Sequence, residues 1–123
     1  MKQKDNLALL LQIRDAVDKL VATRAAGKEA FVNSSDAEDA TKQRLTAIAI
    51  FVPQLTGEMK KRYPSVDWRA LAGVLDVVCG GYPDPQVNLL WNFLTGELPV
   101  LKGAIDEELQ KLQAERGTVP GAH

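Results

Sequence analysis

Apolar residues recur every three or four positions along most of the chain, and this spacing places them on one face of an α-helix. The first such stretch runs from about Asp5 to Ala26, and Gly27 after it is a typical helix stop. Its apolar face consists of Leu7, Leu10, Leu11, Val17, Leu20 and Val21. The segment from Gly27 to Ser35 is polar, which predicts a loop.

A second helical stretch starts at Ser35, where Glu38 three residues later forms a capping-box pattern. It ends before Pro64, and its apolar face contains Leu45, Ile48, Val52, Leu55, Met59 and Tyr63. Pro53 lies within this face. Because proline lacks an amide hydrogen and clashes with the preceding turn, we expect a kink or a break near residues 49–52.

A third stretch, Trp68 to Cys79, is apolar nearly all round, so we expect it to be buried on most sides, with Asp67 or Ser65 as its cap. The fourth stretch opens with Asp84 as cap and Pro85 at the first helical position. Its apolar face repeats with the spacing of a bundle seam and contains Val87, Leu90, Leu94, Leu98, Leu101, Ile105, Leu109 and Leu112.

Gly96 and Pro99 lie inside the fourth stretch and predict a bend that does not end the helix. The expected fold is therefore all-α, an antiparallel bundle of four to five helices with kinks in the second and last. The 123 residues fit one domain, residues 1–115, followed by a flexible tail at 116–123.

The charge of the chain is almost balanced, with 15 Lys and Arg against 16 Asp and Glu. The resulting net charge of −1 argues against a general attraction to nucleic acid or to an anionic membrane. The amino terminus does not have the pattern of a signal peptide, and the apolar runs are too short to span a bilayer. We therefore expect a cytoplasmic protein.

Few residues suit a known kind of catalytic centre. His123 is the only histidine and Cys79 the only cysteine, so neither a metal nor another cofactor is expected. The basic run Lys60–Arg62 lies at a helix end and is interpreted as a solvated face, with phosphate binding as the alternative. The acidic run Asp106–Glu108 is interpreted as an exposed face whose ion pairs carry little energetic weight.

Two segments carry a resemblance to a known family. The first spans Tyr63 to Gly73 and contains Tyr-Pro, then Trp-Arg, then Ala-Gly. The second begins at Val87 and continues to Lys102 as a long last helix with an internal proline. Together they resemble the HepT-like branch of the HEPN superfamily. The resemblance implies a helical bundle that usually dimerises and, in active members, a metal-independent ribonuclease.

Active members of that family carry Arg-Asn, three residues and then His, beginning one residue after the Ala-Gly pair, which here is Ala72-Gly73. Here those positions hold Leu75, Asp76 and Gly80, and Ile50 replaces an acidic residue of the second helix. Metal-independent RNA cleavage needs one group that moves a proton near neutral pH and a cation that stabilises the phosphorane. Leucine and glycine supply neither. The resemblance therefore implies a non-catalytic member that acts as a binding or regulatory module.

An alternative is a metal-independent ribonuclease toxin whose catalytic groups have moved to Asp76, Arg69 or Tyr82, and another is a drifted member with a structural role alone. Many family members are toxins paired with a nucleotidyltransferase that adenylylates a tyrosine, and Tyr82 stands at that position. We favour a packing role for Tyr82 over a nucleotide-acceptor role. Ile50 and Phe51 lie away from the apolar face of their helix. Either this half of the helix is central in the bundle, or both residues contact a second subunit in a homodimer.

Overall fold

The computed structural model describes residues 2–79 and 87–117, and these residues are helical with no strand among them. The predicted all-α bundle is thereby confirmed. Within the described residues there are seven α-helices: α1 (Lys2–Ala25), α2 (Lys28–Val32), α3 (Ser35–Phe51), α4 (Gly57–Lys61), α5 (Trp68–Cys79), α6 (Val87–Asn92) and α7 (Leu98–Gly117). In this part of the chain no helix combines the length and the apolar character that crossing a bilayer requires.

The short helix α2 occupies the segment that was predicted to be a loop. Gly27 precedes it with a φ of 97° and a ψ of 159°, a conformation that is open to glycine alone. The helix forms because Phe31 is fully buried and its ring packs against Trp91, with the ring centroids 5.5 Å apart. The loop prediction was wrong because one large aromatic residue in a polar segment is enough to bring it onto the core.

Helices α1 and α3 pack against each other. α3 begins at the predicted residue, but its capping side chain is that of Ser34, whose Oγ accepts a hydrogen bond from the Ala37 amide at 3.1 Å. At the other end, the amide side chain of Asn6 donates to the Thr56 hydroxyl at 3.0 Å and accepts from the Thr56 backbone at 3.2 Å. These bonds join the start of α1 to the residue that caps α4.

The break predicted around Pro53 is confirmed. α3 ends at Phe51, and a 3₁₀ turn, Val52–Gln54, leads into α4. Pro53 occupies one of the first positions of that turn, where the turn's own hydrogen bonds do not need its amide hydrogen.

Helix α5 has the predicted bounds and one of the two predicted caps, because the Asp67 carboxylate accepts from the Ala70 amide at 3.0 Å. It packs against α3 along a single face formed by Leu71, Leu75 and Val78. The expectation of burial on most sides was wrong, since the residues of the opposite face are exposed: Ala70, Ala72, Gly73, Asp76 and Val77. Small and β-branched residues on the exposed face made the helix look buried all round.

The predicted bend in the last helical stretch is also confirmed. α6 and α7 are joined by a π-helical turn, Phe93–Glu97, directly before Pro99. Proline cannot donate to the carbonyl of Thr95, and the wider turn absorbs that missing bond. α7 packs against α1 and extends to Gly117, so the first two residues of the predicted tail are helical and the rest lie outside the described residues.

Candidate functional site

The residue at the arginine position of the resembled motif is part of the core. The Leu75 side chain is 4% exposed and lies on the face of α5 that packs against α3. The next residue, Asp76, is exposed. Gly80 and Tyr82, at the histidine and acceptor-tyrosine positions, lie outside the described residues. The structure therefore places one of the motif positions in the interior and one at the surface.

The two charged residues of the alternative with relocated catalytic groups, Arg69 and Asp76, both lie on the exposed face of α5. Arg69 and Asp76 are each exposed, and they lie seven positions apart on the same side of the helix. Two turns separate them, which is about 10 Å along the helix axis at 1.5 Å per residue. A guanidinium and a carboxylate at that separation do not form the compact acid–base pair that RNA cleavage requires.

Ile50 and Phe51, the predicted dimer contacts, end helix α3. The Ile50 side chain is 56% exposed, the largest exposure among the exposed large apolar residues of the described part, while Phe51 is half-buried. Ile50 is thus not covered by the described residues, and among these it is not central in the bundle.

The most connected polar group of the described residues is the carboxylate of Glu108 in α7. Its side chain is 1% exposed. Oε1 accepts a hydrogen bond from the Tyr63 hydroxyl at 2.7 Å and another from Arg62 Nε at 3.3 Å, and Oε2 pairs with the second arm of the Arg62 guanidinium. Arg62 follows α4 directly, so this network fastens the end of α4 onto α7.

Burial and hydrogen bonding together determine which groups of the network are ionised. Burial by itself raises the pKa of Glu108, but the hydrogen bonds from Arg62 and Tyr63 outweigh it, and the net pKa lies below the usual carboxyl value. Burial and the bond to Glu108 raise the pKa of Tyr63, while the bond to Glu108 raises the pKa of Arg62. At neutral pH the carboxylate and the guanidinium are therefore both ionised, and the phenol keeps its proton.

This network corrects two sequence-based interpretations. Glu108 is buried rather than part of an exposed acidic face, and Arg62, although its side chain is 38% exposed, is paired with that buried carboxylate rather than with solvent alone. The sequence contained a usable signal, because Glu108 lies seven residues after Leu101 and three after Ile105, on the apolar seam of its helix. A carboxylate at such a position requires a cation, and the basic run supplied it.

A second polar feature is a cavity of about 210 Å³ between the start of α5 and the start of α7. We call it the α5–α7 cavity; its lining is Ser65, Val66, Asp67, Ala70, Leu71, Gly96, Glu97, Val100 and Leu101. One oxygen of Glu97, Oε2, is buried there and has no hydrogen-bond partner. Burial raises the pKa of Glu97, and the nearby charge of Asp67 raises it further.

Nothing in the described part of the chain resembles a metal centre. No group of three or more His, Cys, Asp or Glu side chains comes close enough together there to hold a metal ion.

Comparison with known proteins places the chain near proteins with ribonuclease names. It is 22% identical over 116 residues to "Putative RNase MJ1216" of Methanocaldococcus jannaschii, with 94% of this chain and 96% of that protein covered. It is 23% identical over 114 residues to "Putative RNase MJ0125" of the same organism, covering 92% of this chain and 98% of that protein. Both similarities extend over nearly the full length of each partner.

A third similar protein of that organism is named "Gamma-glutamylcyclotransferase and putative RNase MJ0434". The identity is 24% over 114 residues, and this chain spans 50% of its length. No family model and no solved structure matches the chain. The full-length similarities support a relationship to an RNase-like family.

Proposed function

We propose that this chain is a HEPN protein of the HepT-like branch that keeps the fold of its RNase-named relatives without their chemistry. It acts as a cytoplasmic, homodimeric binding or regulatory module. The observation that carries the proposal is the burial of Leu75, which occupies the motif position of the catalytic arginine. A side chain packed between α5 and α3 contacts no substrate, whatever its chemistry.

The rest of the chain does not replace the missing groups. The only histidine is His123, the last residue of the sequence, and glycine stands at the motif's histidine position as Gly80. Cleavage without a metal needs both a proton-transfer group and a cation at the scissile phosphate. In the basic run Lys60–Arg62, the Arg62 guanidinium is already paired with Glu108 and so is not free to act as that cation.

The alternative function is a ribonuclease with relocated catalytic groups. The observation in its favour is the exposed face of α5, which carries Arg69 and Asp76 on the same side. Their separation of about 10 Å along the helix is the argument against it. Tyr82, the third candidate group, stays a prediction.

We expect purified protein to leave single-stranded RNA and tRNA intact, with or without a divalent cation. The physical reason is the absence of a histidine and an arginine at the motif positions. The measurement is gel analysis of end-labelled RNA over several hours. Two matched variants, Asp76→Ala and Arg69→Ala, accompany the wild type. Cleavage by the wild type that both variants lose would replace this proposal with the relocated ribonuclease.

We also expect a homodimer in which Ile50 contacts a second copy of the chain. An isoleucine that is more than half exposed leaves apolar area for a partner to cover, and α5 adds the exposed Val77. Light scattering at tens of micromolar should give twice the 13.4 kDa chain mass for the wild type. The Ile50→Asp variant should give the monomer mass.

The matched control for that substitution is Val32→Asp, because Val32 is an exposed apolar residue on α2, at the opposite end of α3 from Ile50. The control should remain dimeric. A folded wild type of monomer mass, or equal effects of both substitutions, would contradict the dimer.

A nucleotidyltransferase is the partner that the resemblance suggests, with Tyr82 as the residue that it would modify. We favour a packing role for Tyr82, because a protein without ribonuclease activity has no activity to neutralise. Intact-mass analysis of the chain co-expressed with its genomic neighbour distinguishes the two roles through an added nucleotide monophosphate.

A further inference from the structure

We propose that the α5–α7 cavity binds a small organic cation, a primary ammonium or guanidinium group carried on a short apolar stem. This site is separate from the described motif positions, since it lies at the first turn of α5, whereas Leu75 and Asp76 lie in the second half of that helix. The proposal does not depend on whether the chain cleaves RNA.

The shape of the cavity suits an organic group. Its volume of about 210 Å³ exceeds the roughly 150 Å³ of a cavity that accepts benzene. Val66, Leu71 and Leu101 are buried and form its floor, whereas Ser65, Ala70 and Val100 are exposed and form its rim. An alkyl stem on this floor would remove apolar surface from water on both partners.

The carboxylates in the lining favour a ligand with a cationic head group. Oε2 of Glu97 is buried without a hydrogen-bond partner, an arrangement that is costly for a carboxylate unless a donor satisfies it. Asp67 contributes a second carboxylate to the lining, and its Oδ1 already accepts the Ala70 amide. Among the described residues no ion pair joins either carboxylate to a cation. The lining thus carries two carboxylates and no cationic side chain.

An ammonium or guanidinium group supplies the positive charge that the lining does not contain. It donates several hydrogen bonds, carries the opposite charge and accepts none. Hydrogen bonds to a charged partner are about twice as strong as neutral ones, so the cation should be preferred over a neutral donor of the same size. A free amine and the side chain of a lysine or arginine on a partner protein present the same head group on an apolar stem.

The test is binding of small probes to the full-length protein, followed by NMR chemical shifts and by calorimetry. The probes are n-butylammonium as the free amine, Nα-acetyl-lysine amide as the side-chain mimic, and 1-pentanol as the uncharged analogue of similar size. We expect both cations to shift resonances of Ala70, Gly96 and Val100, and 1-pentanol to bind at least about tenfold more weakly. The tighter of the two cations identifies the source of the natural ligand.

Three variants separate the charge from the shape of the site. Glu97→Gln keeps the size of the side chain and should weaken cation binding at least about tenfold. Glu29→Gln, a change of the same kind at an exposed position on α2, should leave binding unchanged. Ala70→Trp places a large side chain at the rim and should block all probes while both carboxylates remain.

Circular dichroism first establishes that each variant is folded, so that a change in binding can be assigned to the site. Cation binding that Glu97→Gln weakens and Glu29→Gln does not supports the site. Equal affinity for 1-pentanol and n-butylammonium would show an apolar cavity without charge selection and overturn the proposal. The absence of probe shifts at millimolar concentration, or shifts that Ala70→Trp leaves in place, would overturn it as well.

Discussion

Replacing Arg62 by alanine should lower the free energy of unfolding by about 3 to 5 kcal/mol at neutral pH. The substitution removes the partially exposed member of the pair and leaves the Glu108 carboxylate buried, with the Tyr63 hydroxyl as its remaining donor among the bonds described. An ionised carboxylate in that position has lost both its hydration and its countercharge. Urea denaturation followed by circular dichroism measures the effect.

The matched control is Lys61→Ala, which removes the exposed neighbouring base and should cost less than about 0.5 kcal/mol. Glu108→Leu is the informative third variant. It removes the buried charge itself and leaves Arg62 facing solvent, so the remaining cost is the unpaired Tyr63 hydroxyl, about 1 to 3 kcal/mol. If Glu108→Leu destabilises the protein more than Arg62→Ala does, an unpaired buried charge is not the main cost of breaking the network.

The cost of Arg62→Ala should also depend on pH. In the wild type the pKa of Glu108 is lowered in the folded state, so its stabilisation is complete above the ordinary carboxyl pKa, about 4.3, and is lost as the pH falls through the lowered value. In Arg62→Ala the hydrogen bonds from Arg62, which oppose the effect of burial on Glu108, are absent. Burial then favours the neutral carboxyl. The difference in unfolding free energy between the two proteins should therefore be largest at neutral pH and shrink on acidification. A difference that does not change with pH would exclude an electrostatic origin.

The parts of the fold that the sequence predicted best are those where a single residue type dictates the backbone. Pro53 predicted the end of α3 and Pro99 the distortion of the last helical stretch, because a missing amide hydrogen acts within one turn. Asp67 was one of the two predicted caps of α5 for a similarly local reason. Each of these outcomes depends on neighbours in the sequence, and a sequence shows its neighbours directly.

The parts that were not predicted depend on residues far apart in the chain. The partner of Glu108 lies 46 positions earlier, at Arg62, and each residue alone was consistent with a solvated surface. Helix α2 forms because Phe31 meets Trp91, a contact that no local pattern predicts. The cavity at Glu97 is likewise a property of packing between α5 and α7, where Asp67 contributes the second charge.

The sequence predicted which residues occupy the motif positions better than it predicted how those residues are arranged. The resemblance identified Leu75 and Asp76 as motif positions, and apolar replacement alone argued against catalysis. It did not show that Leu75 packs in the core while Asp76 is exposed, because neighbouring helical positions point about 100° apart and the periodicity of α5 was masked by its small apolar residues.

A change of Leu75 to arginine, the residue of active family members, should lower the free energy of unfolding by at least about 3 kcal/mol. The guanidinium would enter the contact between α5 and α3, and the packing of the leucine would be lost as well. Since whole domains are stable by only about 5 to 15 kcal/mol, the variant should be close to unfolding.

The decisive comparison is the unfolding free energy of Leu75→Arg measured beside that of Leu75→Met. Methionine conserves the volume of leucine and should cost less than about 1.5 kcal/mol, whereas arginine should cost at least twice as much. That result would establish position 75 as part of the core, where no catalytic side chain can serve. A Leu75→Arg protein as stable as Leu75→Met would place the position on an open cleft and contradict the proposed loss of the catalytic site.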